Sequence, residues 1–163
     1  MLKLTVNGKE CEIAIQPGTT LAKVLRNELG LTGAKMGCDS GACGTCTVLL
    51  DKKAVKSCSV LALQANGKEV LTIEGLASEG QLHPLQEAFL DHSAYQCGFC
   101  TSGMIMAGKA LLDETLNPSE EEVIEGITGN LCRYTGYTRI VEAILSAAQK
   151  MREAGLSAKA PSA

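Results

Sequence analysis

"MGCDSGACGTC", residues 36–46, places three cysteines and three glycines within eleven positions. An ordinary packed core does not need that composition, so this stretch reads as a loop wrapped around something. Cys38 is followed by four residues, Cys43 by two, then Cys46, and a further cysteine waits at Cys58. A metal ion, an iron–sulfur cluster, a disulfide framework and a redox dithiol are the candidate occupants, and the rest of the chain decides among them.

The chain has 163 residues, enough for one ordinary domain or two small ones. Its 45% hydrophobic and 20% charged residues mark a globular protein. Trp is absent and aromatics make up only 3%, so the core must come from Leu, Ile, Val, Ala and Met. A net charge of −3 without a Lys/Arg run gives no reason to expect nucleic acid. The N-terminal "MLKLTVNGKECEI" is interrupted by charges, which predicts neither a signal peptide nor a membrane span, and hence a cytoplasmic chain. Eight cysteines in such a chain argue against structural disulfides, because the cytosol keeps thiols reduced. Metal or redox chemistry becomes the leading explanation. His83 and His92 lie outside any C-x-H or H-x₃₋₅-H arrangement, so histidine-bearing zinc fingers and Rieske-type ligation are poorly supported.

Local patterns change character midway. "LKLTV" and "CEIAI" flank Asn7-Gly8, whose tolerance of positive φ predicts a hairpin. Thr19 or Thr20 can cap a short helix carrying Leu21, Val24, Leu25 and Leu29, with Gly30 as its stop. Short strands are predicted near "TCTVLL", "KAVKSC" and "EVLTI". "EGLASEG", residues 74–80, reads as a domain junction. Beyond it the chain reads as helical. Pro84 suits a first helical turn, and a second helix after Cys100 carries Met104, Ile105, Gly108, Leu111 and Leu112 on one stripe. Ser119 to Glu122 forms a capping box for a third helix, and Ile140, Val141, Ile144, Leu145 and Ala148 mark a fourth. Four short helices suggest a small bundle. Met104 and Met106 read as packing residues. Gly103 and Gly108 are either close-approach positions or merely tolerated. The predicted division is 1–76, 77–154 and a flexible tail over 155–163.

The C-x₄-C-x₂-C…C spacing of Cys38, Cys43, Cys46 and Cys58 matches the plant-type ferredoxin arrangement for a [2Fe–2S] cluster. Gly37, Gly41 and Gly44 let the backbone approach closely and aim N–H groups inward, where they favour negative charge. A structural zinc site is the plainer alternative, but zinc ribbons pair two C-x₂₋₄-C knuckles and Cys58 stands alone. The second set is Cys97 and Cys100 in "QCGFC", joined by Cys132 in "GNLCRYTGY". Alone, C-x-x-C before a helix could be a thioredoxin-like dithiol, yet that motif wants a βαβ setting and these surroundings read as helical.

Taken in order, "GCDSGACGTCTV", Cys58, "QCGFCTSGM" and "GNLCRYTGY" resemble the small iron–sulfur subunit of the molybdenum hydroxylases. That family includes xanthine dehydrogenase, aldehyde oxidase, carbon monoxide dehydrogenase and hydroxybenzoyl-CoA reductase, and the resemblance spans residues 2 to about 150. It implies an α+β fold, with a plant-ferredoxin-like β-grasp domain followed by a four-helix bundle domain, each holding one [2Fe–2S] cluster. It also implies a medium FAD-binding subunit and a large molybdopterin-binding subunit as partners. Cys38, Cys43, Cys46 and Cys58 would ligate the cluster facing the flavin, and Cys97, Cys100 and Cys132 the one facing the molybdopterin. Gln96 matches a family position that touches the pterin cofactor; the plain reading is a solvent-facing polar residue. Arg133 could meet a pterin phosphate or a partner's carboxylate, a surface arginine being the default.

Two departures stand out. Most relatives carry Cys-Arg-Cys where this chain has Cys132-Arg133-Tyr134, leaving seven cysteine ligands for two clusters. Cys11 makes the count eight, but its place on an alternating strand favours a buried core thiol. Tyr134 or another nearby oxygen are the remaining candidates. Ser102 stands where relatives carry proline. No residue reads as a general acid, base or nucleophile. The function expected is electron relay between a molybdenum site and a flavin within a multisubunit oxidoreductase. The alternatives are a free-standing ferredoxin-like carrier and a zinc-stabilised interaction module.

Overall fold

The computed structural model describes residues 1–156. Of the predicted tail, residues 157–163 lie outside the described residues. The N-terminal hairpin forms as expected: β1 (Leu2–Val6) and β2 (Lys9–Ile13) pair antiparallel, with Asn7 at φ 51° and Gly8 at φ 77°. Two positive φ values in succession give the turn whose twist matches the strands it joins. β3 (Thr47–Leu50), β4 (Lys53–Lys56) and β5 (Glu69–Leu71) complete a five-stranded mixed sheet of order β2-β1-β5-β3-β4. Only the β1–β5 pair is parallel.

Helix α1 (Leu21–Lys23) runs directly into a π-helical turn over Val24–Glu28, where the Leu29 amide reaches back to Val24 O. The widened turn keeps Leu21, Val24 and Leu25 buried against the sheet together with Leu2, Leu4 and Val70. Gly30, at φ 68°, ends it. Thr20 holds the N-cap position, but its hydroxyl makes no capping bond and is buried without a partner. Cys11 also differs from expectation. It is half-buried rather than buried, because β2 is an edge strand whose apolar positions are only partly covered.

Four helices follow: α2 (Pro84–Asp91), α3 (Thr101–Glu114), α4 (Glu120–Ile127) and α5 (Thr138–Glu153). Pro84 occupies the first turn of α2, and Ser119 and Glu122 form the reciprocal cap of α4. α3 departs from the single-stripe expectation. Met104, Ile105, Met106, Ala107 and Leu112 are all buried, because α3 lies between the sheet at β3 and the other three helices. A helix apolar nearly all round is a central helix. Leu49 and Leu76 share its core, so the apolar interior runs from sheet to helices without a polar gap. Among the described residues no helix is long and apolar enough to cross a membrane.

The start of α2 carries a titratable cap. His83 Nδ1 accepts a hydrogen bond from the Leu85 amide at 3.2 Å, while the His83 amide donates to Gln86 Oε1 at 2.9 Å. Burial, helped by the positive charge of Lys109, lowers the His83 pKa from 6.5 to about 4 against the opposing pull of Asp113.

Two outcomes follow from this packing. A Cβ at Gly103 would lie 2.4 Å from the Gly44 carbonyl oxygen and 3.1 Å from Thr45 Cα, both main-chain atoms. At Gly108 its nearest neighbours would be side-chain atoms, the end of Ile144 at 3.1 Å and Leu85 Cδ2 at 3.5 Å. Gly103→Ala should therefore cost on the order of 2–4 kcal/mol in chemical denaturation. Gly108→Ala should be near neutral, since the gain in helix propensity offsets a small shift of Ile144. For His83, a folded pKa below the unfolded one means that its stabilisation is complete above about pH 6.5. It is lost as pH falls toward about 4. A melting-temperature profile should fall by a few degrees across that window, of order 1 kcal/mol after allowing for partial exposure. Substituting His83→Asn keeps a capping acceptor and should flatten the profile.

Candidate metal centres

Thr45 closes the base of the first cysteine loop. Its hydroxyl donates to Lys35 O at 2.8 Å and accepts from the Gly37 amide at 3.2 Å, and the Lys35 amide donates to Thr45 O at 3.1 Å. Within the loop, the amides of Ser40 and Cys43 both point at Cys38 Sγ, at 3.4 and 3.3 Å. Cys46 ends the loop, and Cys58 sits on a 3₁₀ turn over Ser57–Ser59. Ser57 presses that turn against Cys46, its amide and hydroxyl both donating to Cys46 O. At the loop's tip, a Cβ on Gly41 would lie 2.6 Å from Ser59 Oγ, so the tip rests on the turn bearing Cys58.

The thiols of this set are unlike one another. Cys38 is exposed, and hydrogen bonds from the Ser40 hydroxyl and from the Ser40 and Cys43 amides lower its pKa to about 6. Cys46 is buried beside Cys58, and burial pushes its pKa up to about 11. Soft thiol donors on a glycine-rich loop lined with inward amides fit a cluster that carries negative charge.

The second set brings Cys100, at the N-terminus of α3, against Cys132 in the loop before α5. Burial drives the Cys100 pKa up to about 12, with Cys132 and Cys97 adding to the rise. Burial alone would also raise the Cys132 pKa. Hydrogen bonds from the Thr135 hydroxyl and the Tyr134 and Thr135 amides outweigh it and lower the value. Cys97 is exposed, as are Gln96, Arg133 and Tyr134. Cys11 joins neither set; its side chain packs with the sheet core and its Sγ donates to Lys9 O at 3.5 Å. All eight cysteines are free thiols. Among the described residues no three His, Cys, Asp or Glu side chains already meet at one point; the thiols approach in pairs. The donors gathered in both regions are thiols, which suit iron–sulfur chemistry.

The two cysteine loops touch directly. The Leu131 amide, next to Cys132, donates to Cys43 O at 2.8 Å. The buried Asn130 side chain donates through Nδ2 to Gly44 O at 2.9 Å and to Thr47 Oγ1 at 3.2 Å. Gly44 has φ +71°, and a Cβ there would stand 2.4 Å from Gly129 O, so position 44 itself admits no side chain. Ser102 adds a link that proline could not make, its hydroxyl donating to Gly33 O at 2.6 Å. Asn130, Thr45, Ser57 and Ser102 carry no signal in spacing or periodicity, because what they do is defined by partners distant in the chain.

Comparison with known proteins is consistent across the chain. A family model for the 2Fe-2S iron-sulfur cluster binding domain matches residues 4–76, and one for the [2Fe-2S] binding domain matches residues 72–145. The nicotine 6-hydroxylase small subunit of Paenarthrobacter nicotinovorans is 51% identical over 146 residues, covering 90% of this chain and 88% of that one. A probable xanthine dehydrogenase component of Bacillus subtilis is 48% identical over 139 residues, 85% of this chain and 80% of that one. The chain belongs to the iron–sulfur small subunits of the molybdenum hydroxylase family. The small subunit also superposes on quinoline 2-oxidoreductase from Pseudomonas putida 86, with a TM-score of 0.89 and 44% identity, covering 93% of this chain and 95% of that one. It is thus an electron-transferring, non-catalytic component of an oxidoreductase, with two [2Fe–2S]-binding domains.

Asn130 offers a direct check on the crossing in this small subunit. Asn130→Ala leaves Gly44 O and Thr47 Oγ1 buried without their donor, which should cost about 1–3 kcal/mol in urea denaturation. Asn130→Asp should be worse, because it turns an oxygen toward Gly44 O.

Proposed function

We propose that this chain relays electrons between a molybdenum site in a large molybdopterin-binding subunit and a flavin in a medium FAD-binding subunit. Cys38, Cys43, Cys46 and Cys58 hold the cluster on the flavin side, and Cys97, Cys100 and Cys132 hold the one on the molybdopterin side. When bound, the clusters supply one-electron redox chemistry, which matches a two-electron centre to single-electron steps. The chain's own part is to hold, space and shield them.

The observation that carries this reading is the Leu131–Cys43 hydrogen bond, which joins the two cysteine loops through main chain alone. Thr45, Ser57 and Asn130 brace the loops from behind, so their separation resists thermal drift. The amides aimed at Cys38 Sγ and Cys132 Sγ favour the thiolate forms that ligation requires. Gln96, exposed beside Cys97, is the residue proposed to donate its side-chain amide hydrogen to a pterin cofactor held by a partner. The division into 1–76 and 77–154, with the four helices acting as a bundle, belongs to the same proposal, as does a cytoplasmic location, which suits eight free thiols.

Anaerobically purified complex should be brown, with about four irons per chain, acid-labile sulfide, and two distinct spin-resonance signals on reduction. Cys58→Ser should alter one signal and Cys132→Ser the other. Colourless protein containing zinc would replace this reading with a zinc-stabilised module. A brown chain that never co-purifies with larger subunits would replace it with a free-standing carrier.

A further inference from the structure

We infer that the second cluster is closed by an oxygen donor in the place left by the missing thiol at position 134, the tyrosine's own oxygen or a solvent oxygen, instead of an eighth thiolate; this rests on the reading of Cys97, Cys100 and Cys132 as ligands. Two [2Fe–2S] clusters with thiolate ligation need eight cysteines, and the chain has eight. The structure removes one from the count. Cys11 is paired across the hairpin with Leu4 and packs among the sheet-core side chains. Recruiting it would require unzipping β2 from β1.

Histidine does not supply the missing ligand. His83 caps α2 through Nδ1, and His92 faces Glu142 at 4.0 Å. Nor does a local carboxylate, since residues 93–105 and 128–138 contain no Asp or Glu. The hydroxyls nearby are largely committed. Thr135 Oγ1 accepts from the Tyr137 amide, and Tyr137 Oη accepts from the Cys132 amide. Ser102 Oγ donates to Gly33 O. Thr101 Oγ1 is buried without a partner, but Thr101 lines an apolar cleft with Phe89 and Ile105.

Residue 134 is different. Its own amide and that of Thr135 both point at Cys132 Sγ, which puts residue 134 on the rim of the thiol set. Tyr134 is 61% exposed. A phenol is longer than a thiol, so position 134 can serve in two ways: the Tyr134 oxygen swings inward, or it stays out and admits a solvent oxygen. The shared chemistry is oxygen on iron, a harder donor than sulfur, which makes the second cluster electronically unlike the first.

The test uses the assembled complex, purified without oxygen, as wild type, Tyr134→Phe, Tyr134→Cys and Cys11→Ser. Iron content, spin-resonance line widths in ¹⁷O-water and resonance Raman spectra are measured. Wild type should contain about four irons per chain and show an oxygen signature on the second cluster only. Phenolate–iron Raman bands that vanish in Tyr134→Phe identify the tyrosine oxygen. ¹⁷O broadening that persists in Tyr134→Phe identifies solvent. Tyr134→Cys should abolish either signature, shift the second spin-resonance signal and leave the first unchanged, while Cys11→Ser leaves both signals intact. Loss of the second signal in Cys11→Ser overturns the inference, as does a four-iron wild type lacking both oxygen signatures. A wild type with about two irons and one signal overturns the two-cluster reading itself.

Discussion

The two halves of this molecule meet at one close contact, where Gly44 touches Gly103 and Gly129 main chain to main chain and the buried Asn130 side chain bonds across them. Two loops from opposite halves of the sequence press backbone to backbone there. The sheet, the central helix α3 and the loop before α5 all converge on that point. Side-chain packing of the usual kind would set such a separation by rotamers, which can be repacked. A contact made by carbonyls, amides and α-carbons has much less freedom. The spacing between the two thiol sets is therefore a property of the backbone.

Around this contact each thiol set runs from outside to inside. Cys38 and Cys97 face solvent, whereas Cys46, Cys58 and Cys100 lie inward. At the crossing itself stands half-buried Cys43, whose carbonyl accepts from the Leu131 amide. The opposing pKa shifts of Cys38 and Cys46 express that polarity: amide and hydroxyl donors outside, exclusion of water inside. One loop thus carries both an easily deprotonated thiol and a reluctant one.

Much of this was legible from residue order. Asn7-Gly8, Pro84 and the Ser119–Glu122 box are local signals whose chemistry acts within a few residues, and each appears where expected. The cysteine spacings likewise state their purpose locally. What escaped depends on distance. α3 reads as amphipathic, yet it is buried nearly all round because the sheet comes back over it. Thr20 has a capping residue's identity without its hydrogen bond, its hydroxyl being buried without a partner. Cys11 alternates like a core residue but lies on an edge strand, and only the strand order reveals that. Asn130 and Ser102 act on Gly44 and Gly33, partners that no sequence window contains.

The strand order has a further bearing on how the subunit behaves before it meets its partners. β2 and β4 are the two open margins of the sheet, and they read "KECEI" and "KAVK". Lysine and glutamate along a margin discourage another strand from zipping on, because adding one would desolvate those charges. A newly made copy is thereby guarded against polymerising through its sheet, and assembly into a larger machine falls to loops and helices.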